Sequence, residues 1–186
     1  ECEAGIVFIG RRRAARGSDL ALHVAQYNTN GQMVVTVVPT TPALANIIAL
    51  FYHRHGGMAY FVPSPDLSRI LVVEWRSGSP ARFSLLFPTT GELQELASPS
   101  SLWTFSNVRW APDGRGWAGI FPDTREIWVC RGEQKHGPFV WQKLAVVAPD
   151  SASGVVFYVP QWIGSDTLLY PSDDRAAWTG KTYVTT

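Results

Sequence analysis

The stretch Val108–Phe121, VRWAPDGRGWAGIF, constrains the fold of this chain more than any other. It sets a Trp, a Pro-Asp-Gly turn and an apolar run in that order, and it does not stand alone. VPSPDLSRILVVEW aligns with it through the Pro-Asp pair: Pro112-Asp113 follows Pro65-Asp66 by 47 positions (112 less 65). In both copies an apolar run starts four residues after the Asp, at Ile70 and at Trp117. A third copy, PQWIGSDTLLY, keeps Trp162, a polar turn with Asp166 and an apolar strand, but has lost the Pro; Trp162 follows Trp110 by 52 positions (162 less 110). Self-similarity at such a period means a supersecondary unit used several times over.

The units are built of strands. DLALHVAQY puts Leu20, Leu22 and Val24 on one face, and SRILVVEW is apolar on both faces from Ile70 to Val73, as in a strand covered on both sides. ARFSLLF alternates Ala81, Phe83, Leu85 and Phe87 against Arg82, Ser84 and Leu86, which predicts a strand with unlike faces. QMVVTVV, REIWVC, FVWQKLAVV and DTLLY complete the set. NTNGQ, TTGEL, PDGRG and GSD punctuate it with residues that supply positive φ or side-chain bonds to the backbone. YNTNGQMVV and FPTTGELQEL read as hairpins. One helix is predicted near 42–53, in TTPALANIIALFY, with Thr41 as N-cap, Pro42 in the first turn, and Leu44, Ile47, Ile48 and Phe51 as its apolar stripe; the rival reading makes ANIIALFY another strand.

Short strands with regular turns indicate a sandwich, barrel or propeller, and a period of ~40–50 residues selects four-stranded propeller blades. The chain therefore reads as all-β and propeller-like: one domain over 1–186, with units at roughly 5–40, 58–98, 106–148 and 155–186. The pattern yields about three strands in the N-terminal part, four in each full repeat and three at the C-terminus, or three and a half to four antiparallel blades. Three solutions follow: a small or distorted ring closed by pairing of terminal strands, part of a larger propeller, or a homodimer that completes the ring.

Ala111-Pro112-Asp113-Gly114-Arg115, with Trp110 before it and an apolar strand after it, resembles the PD40, or TolB-like, class of WD40-type propeller repeat. Pro65-Asp66 matches in part, because Leu67 stands where that pattern has Gly, and the likeness covers roughly residues 58 to 170. In such a turn Pro fixes φ, Asp accepts backbone amides and Gly takes the left-handed conformation. Asp66, Asp113 and Asp166 accordingly read as turn-formers, not as catalytic acids.

The net charge of +1 marks neither nucleic acid nor an acidic membrane as partner, and no apolar run approaches the ~20 residues of a membrane helix. Arg11, Arg12 and Arg13, in RRRAAR, form the one basic cluster; an anion contact competes there with a solvated hairpin loop. Cys2 and Cys130 have no metal spacing and allow one disulfide or two buried thiols. The chain begins ECEAG without an initiator Met, which reads as removal of something upstream and points to a periplasmic or extracellular location; a lipid anchor is disfavoured because Glu1 precedes Cys2.

Candidate chemistry is sparse. His53 and His55 would share a face on a strand and could begin a metal site, but no third ligand appears at a matching spacing. There is no Gly-x-Ser-x-Gly elbow, P-loop or dinucleotide fingerprint, and the adjacent Asp173 and Asp174 read as a turn. No cofactor is implied. Of the eight Trp, the turn pattern does not require Trp75, Trp103, Trp117, Trp128, Trp141 or Trp178. They either fill gaps between blades or form a recognition surface, with Trp75, Trp103, Trp128, Trp141 and Trp178 as binding candidates. The expectation is a non-catalytic, exported module that recognises a partner protein through blade-end loops. A narrower version is an immunity or inhibitor protein that blocks a secreted cell-wall hydrolase. The rival is a glycan- or peptide-hydrolase propeller, which predicts converging acid–base groups such as Asp150, Asp173 and His136.

Overall fold

A computed structural model describes residues 5–13, 18–53, 57–97, 106–121, 126–132, 138–146, 160–170 and 181–184. The chain divides into two compact units, Glu1–Ala97 and Ser98–Thr186.

The first unit opens with an antiparallel meander of β1 (Gly5–Arg13), β2 (Ser18–Tyr27) and β3 (Met33–Val37). Its second hairpin turns at Asn28, whose Oδ1 accepts from the amides of Asn30 (3.0 Å) and Gln32 (2.9 Å), with Gly31 at φ +72°. The helix α1 (Pro42–His53) follows. Thr41 caps it: its Oγ1 accepts from the Leu44 amide at 3.2 Å, and its carbonyl accepts from Ala45. A four-stranded meander of β4 (Gly57–Pro63), β5 (Ile70–Arg76), β6 (Arg82–Phe87) and β7 (Glu92–Leu96) completes the unit.

One core joins these parts. Leu22, Val24 and Val38 from the first sheet meet Leu44, Ile47 and Ile48 of α1, and Ala59, Ile70, Val72 and Leu86 of the second sheet. Val7, Ile9 and Leu20 pack against the same core, so one face of the first sheet is spent on it. Two expectations change. Phe51 stays exposed, although its ring meets Phe61 edge-on at 5.9 Å. The strand β6 has no solvent face, since Phe83, Ser84, Leu85 and Leu86 are all buried. The double burial of Ile70–Val73 in β5 is as the sequence implies.

The second unit contains the four-stranded sheet β8 (Ser106–Trp110), β9 (Gly116–Phe121), β10 (Glu126–Gly132) and β11 (Phe139–Val146). It also contains the three-stranded sheet β12 (Gln161–Ile163), β13 (Thr167–Tyr170) and β14 (Lys181–Val184). Ala118, Ile120, Ile127, Val129 and Leu168 form its core, with Leu144 and Trp162 against it.

The described residues are thus all-β with one helix, in consecutive antiparallel meanders of three, four, four and three strands, the strand pattern of propeller-like blades. Strand pairing among the described residues does not join the sheets into a closed ring.

Candidate functional site

The repeated turn explains itself chemically. In the strong copy the Ala111 amide donates to the Gly116 carbonyl (2.8 Å) and the Gly114 amide to the Ala111 carbonyl (2.9 Å). In the weaker copy Ser64 donates to Arg69 (2.8 Å) and Leu67 to Ser64 (2.9 Å), the same pair of bonds 47 positions earlier (111 less 64). Asp113 Oδ1 accepts from the Arg115 amide at 2.9 Å, and Asp66 Oδ1 from the Ser68 amide at 3.1 Å. Gly114 has φ +67°, and Leu67 takes φ +56°, a left-handed conformation that costs a non-Gly residue about 1–2 kcal/mol. The Leu67 side chain offsets that cost by burial in the first unit's core.

Asp166 has a different setting. Arg131 Nη1 donates to the Ser165 carbonyl at 3.0 Å and lies 3.5 Å from Asp166 Oδ1, while Nη2 donates to Asp113 Oδ2 at 3.1 Å. The same guanidinium lies 5.8 Å from the centroid of Trp162, whose Nε1 donates to the Arg109 carbonyl. Arg131 therefore ties the β8–β9 turn to the β12–β13 turn. Both acidic groups are engaged with a cation, as suits a structural clasp. Nothing in the single sequence marks Arg131, because its partners lie 18 and 35 positions away.

The Trp residues divide. Trp117 is fully buried and central: Trp110 meets it at 5.0 Å, Phe139 at 4.9 Å and Trp141 at 6.0 Å, two of these contacts edge-on. Trp141 is half-buried against this block. The half-buried Trp128 donates its Nε1 to Glu126 Oε2 at 2.9 Å, while Glu126 Oε1 accepts from Lys143 Nζ at 3.1 Å. Trp75 is half-buried at the end of β5, opposite Met58. Trp103 and Trp178 lie outside the described residues, as do His55, His136, Asp150, Asp173 and Asp174, and much of the loop sequence expected to carry recognition. Arg11, Arg12 and Arg13 fall at the end of β1, in register with Leu20, Asp19 and Ser18. His53 ends α1, so the strand geometry that would pair it with His55 does not occur there; among the described residues no three His, Cys, Asp or Glu gather. Cys130 is a free, buried thiol, and burial pushes its pKa well above the ordinary value; Cys2 is outside the described residues.

The feature with the character of a contact surface was not singled out by the sequence. It is the second face of the first sheet. Strand register puts Ile6 and Phe8 of β1, Ala21, His23, Ala25 and Tyr27 of β2, and Met33, Val35 and Val37 of β3 on this face. The six large apolar side chains there are between 37% and 60% exposed. Phe8 stacks on His23 at 5.0 Å and 6°, and neither imidazole nitrogen has a hydrogen-bond partner among the described residues. From Leu20 to His53 the sequence contains no Asp, Glu, Lys or Arg. The result is an apolar sheet face of roughly 600 Å², at the upper end of what a monomer's surface carries, which the register bounds with the pair Arg12 and Asp19 at one end.

Comparison with known proteins adds little chemistry. No family model and no curated protein matches the chain. A crystallised protein from Lactobacillus plantarum aligns at 17% identity over 89% of this chain and 50% of its own length, with a TM-score of 0.41. The periplasmic gluconolactonase of Pseudomonas aeruginosa aligns at 15% identity over 74% of this chain and 43% of its own, with a TM-score of 0.35. The chain spans half the length, or less, of these two structures.

Proposed function

We propose that this chain is a non-catalytic protein-binding module of the PD40 type, whose recognition surface is the exposed face of the β1–β3 sheet. The observation that supports this is the apolar character of that face, free of charge over Ile6 and Phe8, from Ala21 to Tyr27 and from Met33 to Val37. A sheet face in water is ordinarily polar, and an apolar patch of this size marks an interaction site. Phe8 and Tyr27, flanked by Ile6, Met33 and Val35, supply rigid area that a partner can desolvate at small entropic cost. An exported protein whose partner is another protein fits this reading. The clasped Asp113 and Asp166 agree with it, since both are held by Arg131.

The test compares wild type with Phe8→Arg. A partner captured by wild type is purified and titrated calorimetrically against both proteins. The reading expects a negative heat-capacity change for wild type and at least a hundredfold weaker binding by the variant. Equal affinity for both proteins would refute the surface. Turnover of a glycan, lactone or peptide by the purified chain would refute the non-catalytic role.

A further inference from the structure

The same sheet has a second unusual feature, its edge. The Val38 amide donates to the Leu22 carbonyl at 2.9 Å. Bonded and non-bonded pairs alternate in an antiparallel ladder. Val24–Thr36 and Gln26–Val34 are therefore the bonded pairs of β2 and β3. The N–H and C=O groups of Met33, Val35 and Val37 consequently point away from β2, along an edge on which the described residues place no further strand. All five residues of β3 are exposed, including Val34 and Thr36, which belong to the opposite face. An occupant that covered only the apolar face would leave those two in water. A strand laid along the edge would flank both.

Two other sheet edges carry charges. The last strand of the second sheet, β7, carries Glu92 and Glu95, and β11 carries Lys143, the charges by which proteins discourage edge pairing. The strand β3 has no charge, and neither do the flanking segments from Asn28 to Gln32 and from Val38 to Thr41. Among the described residues the first sheet has three strands where the second has four.

We infer that β3 pairs with β3 of a second copy of this chain, antiparallel about a two-fold axis through Val35. In that register Met33 faces Val37 of the other copy and Val35 faces its own equivalent. All three outward-pointing residues then meet outward-pointing partners, so the hydrogen-bond phase closes without a bulge. Val34 faces the other Thr36 in a non-bonded pair. Absence of charge favours a second copy over a foreign strand, because identical surfaces meet without repulsion and no charge is present to select a different partner. The area buried is on the order of 400 Å² per copy, about half that of a standard stable interface, so the dimer forms reversibly in the micromolar range. The pairing goes beyond the partner-binding face, which it leaves open, and sets two such faces side by side in one six-stranded sheet.

The experiment is sedimentation equilibrium of the whole chain between about 1 and 300 µM, with Val35→Pro as the edge-specific variant. The Val35 amide does not bond β2, so Pro at this edge position removes only the outward donor. Wild type should pass from monomer to dimer, and Val35→Pro should weaken association at least tenfold with unchanged far-UV circular dichroism. Register is read by oxidising Val34→Cys mixed with Thr36→Cys: a crosslinked dimer should form in the mixture and several-fold less in either variant alone. Wild type monomeric at 300 µM, a dimer unaffected by Val35→Pro, or equal crosslinking in mixed and separate samples would each overturn the proposal. Phe8→Arg should leave this equilibrium unchanged, so failure of the pairing is separable from failure of the partner-binding face.

Discussion

Trp117 offers the sharpest test of the packing. Its side chain is fully buried and, among the described residues, touched by three other aromatic rings, with no acceptor for its indole N–H. Two terms of opposite sign follow for Trp117→Phe. The smaller ring leaves roughly 40 Å³ unfilled, which costs about 1 kcal/mol at ~24 cal/mol per Å³. Removal of a buried donor without a partner returns about 1–3 kcal/mol. The variant should therefore lie within about 1–2 kcal/mol of wild type and could be slightly more stable. Trp117→Ala removes the same unpaired donor, but its larger cavity and the lost edge-on ring contacts cost about 3–5 kcal/mol. The return from the donor is common to both variants, so they differ by about 2–4 kcal/mol, and at about 2–4 °C per kcal/mol for a chain of this size they should melt at least about 4 °C apart. The assay is urea and thermal unfolding followed by far-UV circular dichroism, because fluorescence would change with the residue itself. A loss of more than about 3 kcal/mol in Trp117→Phe would refute the reasoning, since it would mean that the indole N–H is satisfied.

Two further outcomes follow from single residues. Arg131→Met keeps the apolar stem but removes the clasp between the two turns. It should cost about 1–2 kcal/mol after allowance for the partial exposure of its acidic partners, and Arg131→Lys should restore less than half, because one ammonium cannot reproduce the fork; unchanged melting of Arg131→Met would remove the clasp from the fold's energetics. Burial raises the Cys130 thiol above its ordinary 9.0, so the folded chain holds a proton that the unfolded chain releases. That contribution is complete below pH 9 and drains as pH rises beyond it, by about 1.4 kcal/mol per pH unit. Cys130→Ala should therefore show a shallower loss of stability between pH 9 and 10 than wild type, measured by urea unfolding at each pH, and parallel slopes would contradict the burial.

Local chemistry made most of the fold legible. Thr41 and Pro42 announced the helix start because capping needs only a hydroxyl and a tolerated first-turn residue. The constant offset of 47 announced two equivalent turns, and it could also have foretold the left-handed Leu67, which stands where the other copy has Gly114. What stayed hidden depends on neighbours distant in sequence. The strand β6 alternates in composition yet is buried on both sides, because a small hydroxyl such as Ser84 fits inside as well as outside. The run QMVVTVV has the composition of a buried strand, yet among the described residues all five residues of β3 are exposed. Arg131 is an ordinary strand Arg until the chain brings two turns to it.

The distribution of charge carries the functional argument further than any motif does. The chain has 31 charged residues (16 basic and 15 acidic), and none falls between Leu20 and His53. Burial in the core accounts for part of that gap: Leu22, Val24, Leu44, Ile47 and Ile48 face the interior, where a charge would cost several kcal/mol. It does not account for Tyr27, for Met33 through Val37, or for Ala43, Ala45 and Asn46 on the helix, all of which are exposed. At such positions Lys or Glu would cost the isolated fold nothing and would improve solubility and protect an open strand. Their absence from every exposed position of the segment makes sense when that surface is desolvated by something else. The edge of β3, open on both faces and outward in its hydrogen bonds, and the apolar face beside it are where a covering strand and a covering protein surface would lie.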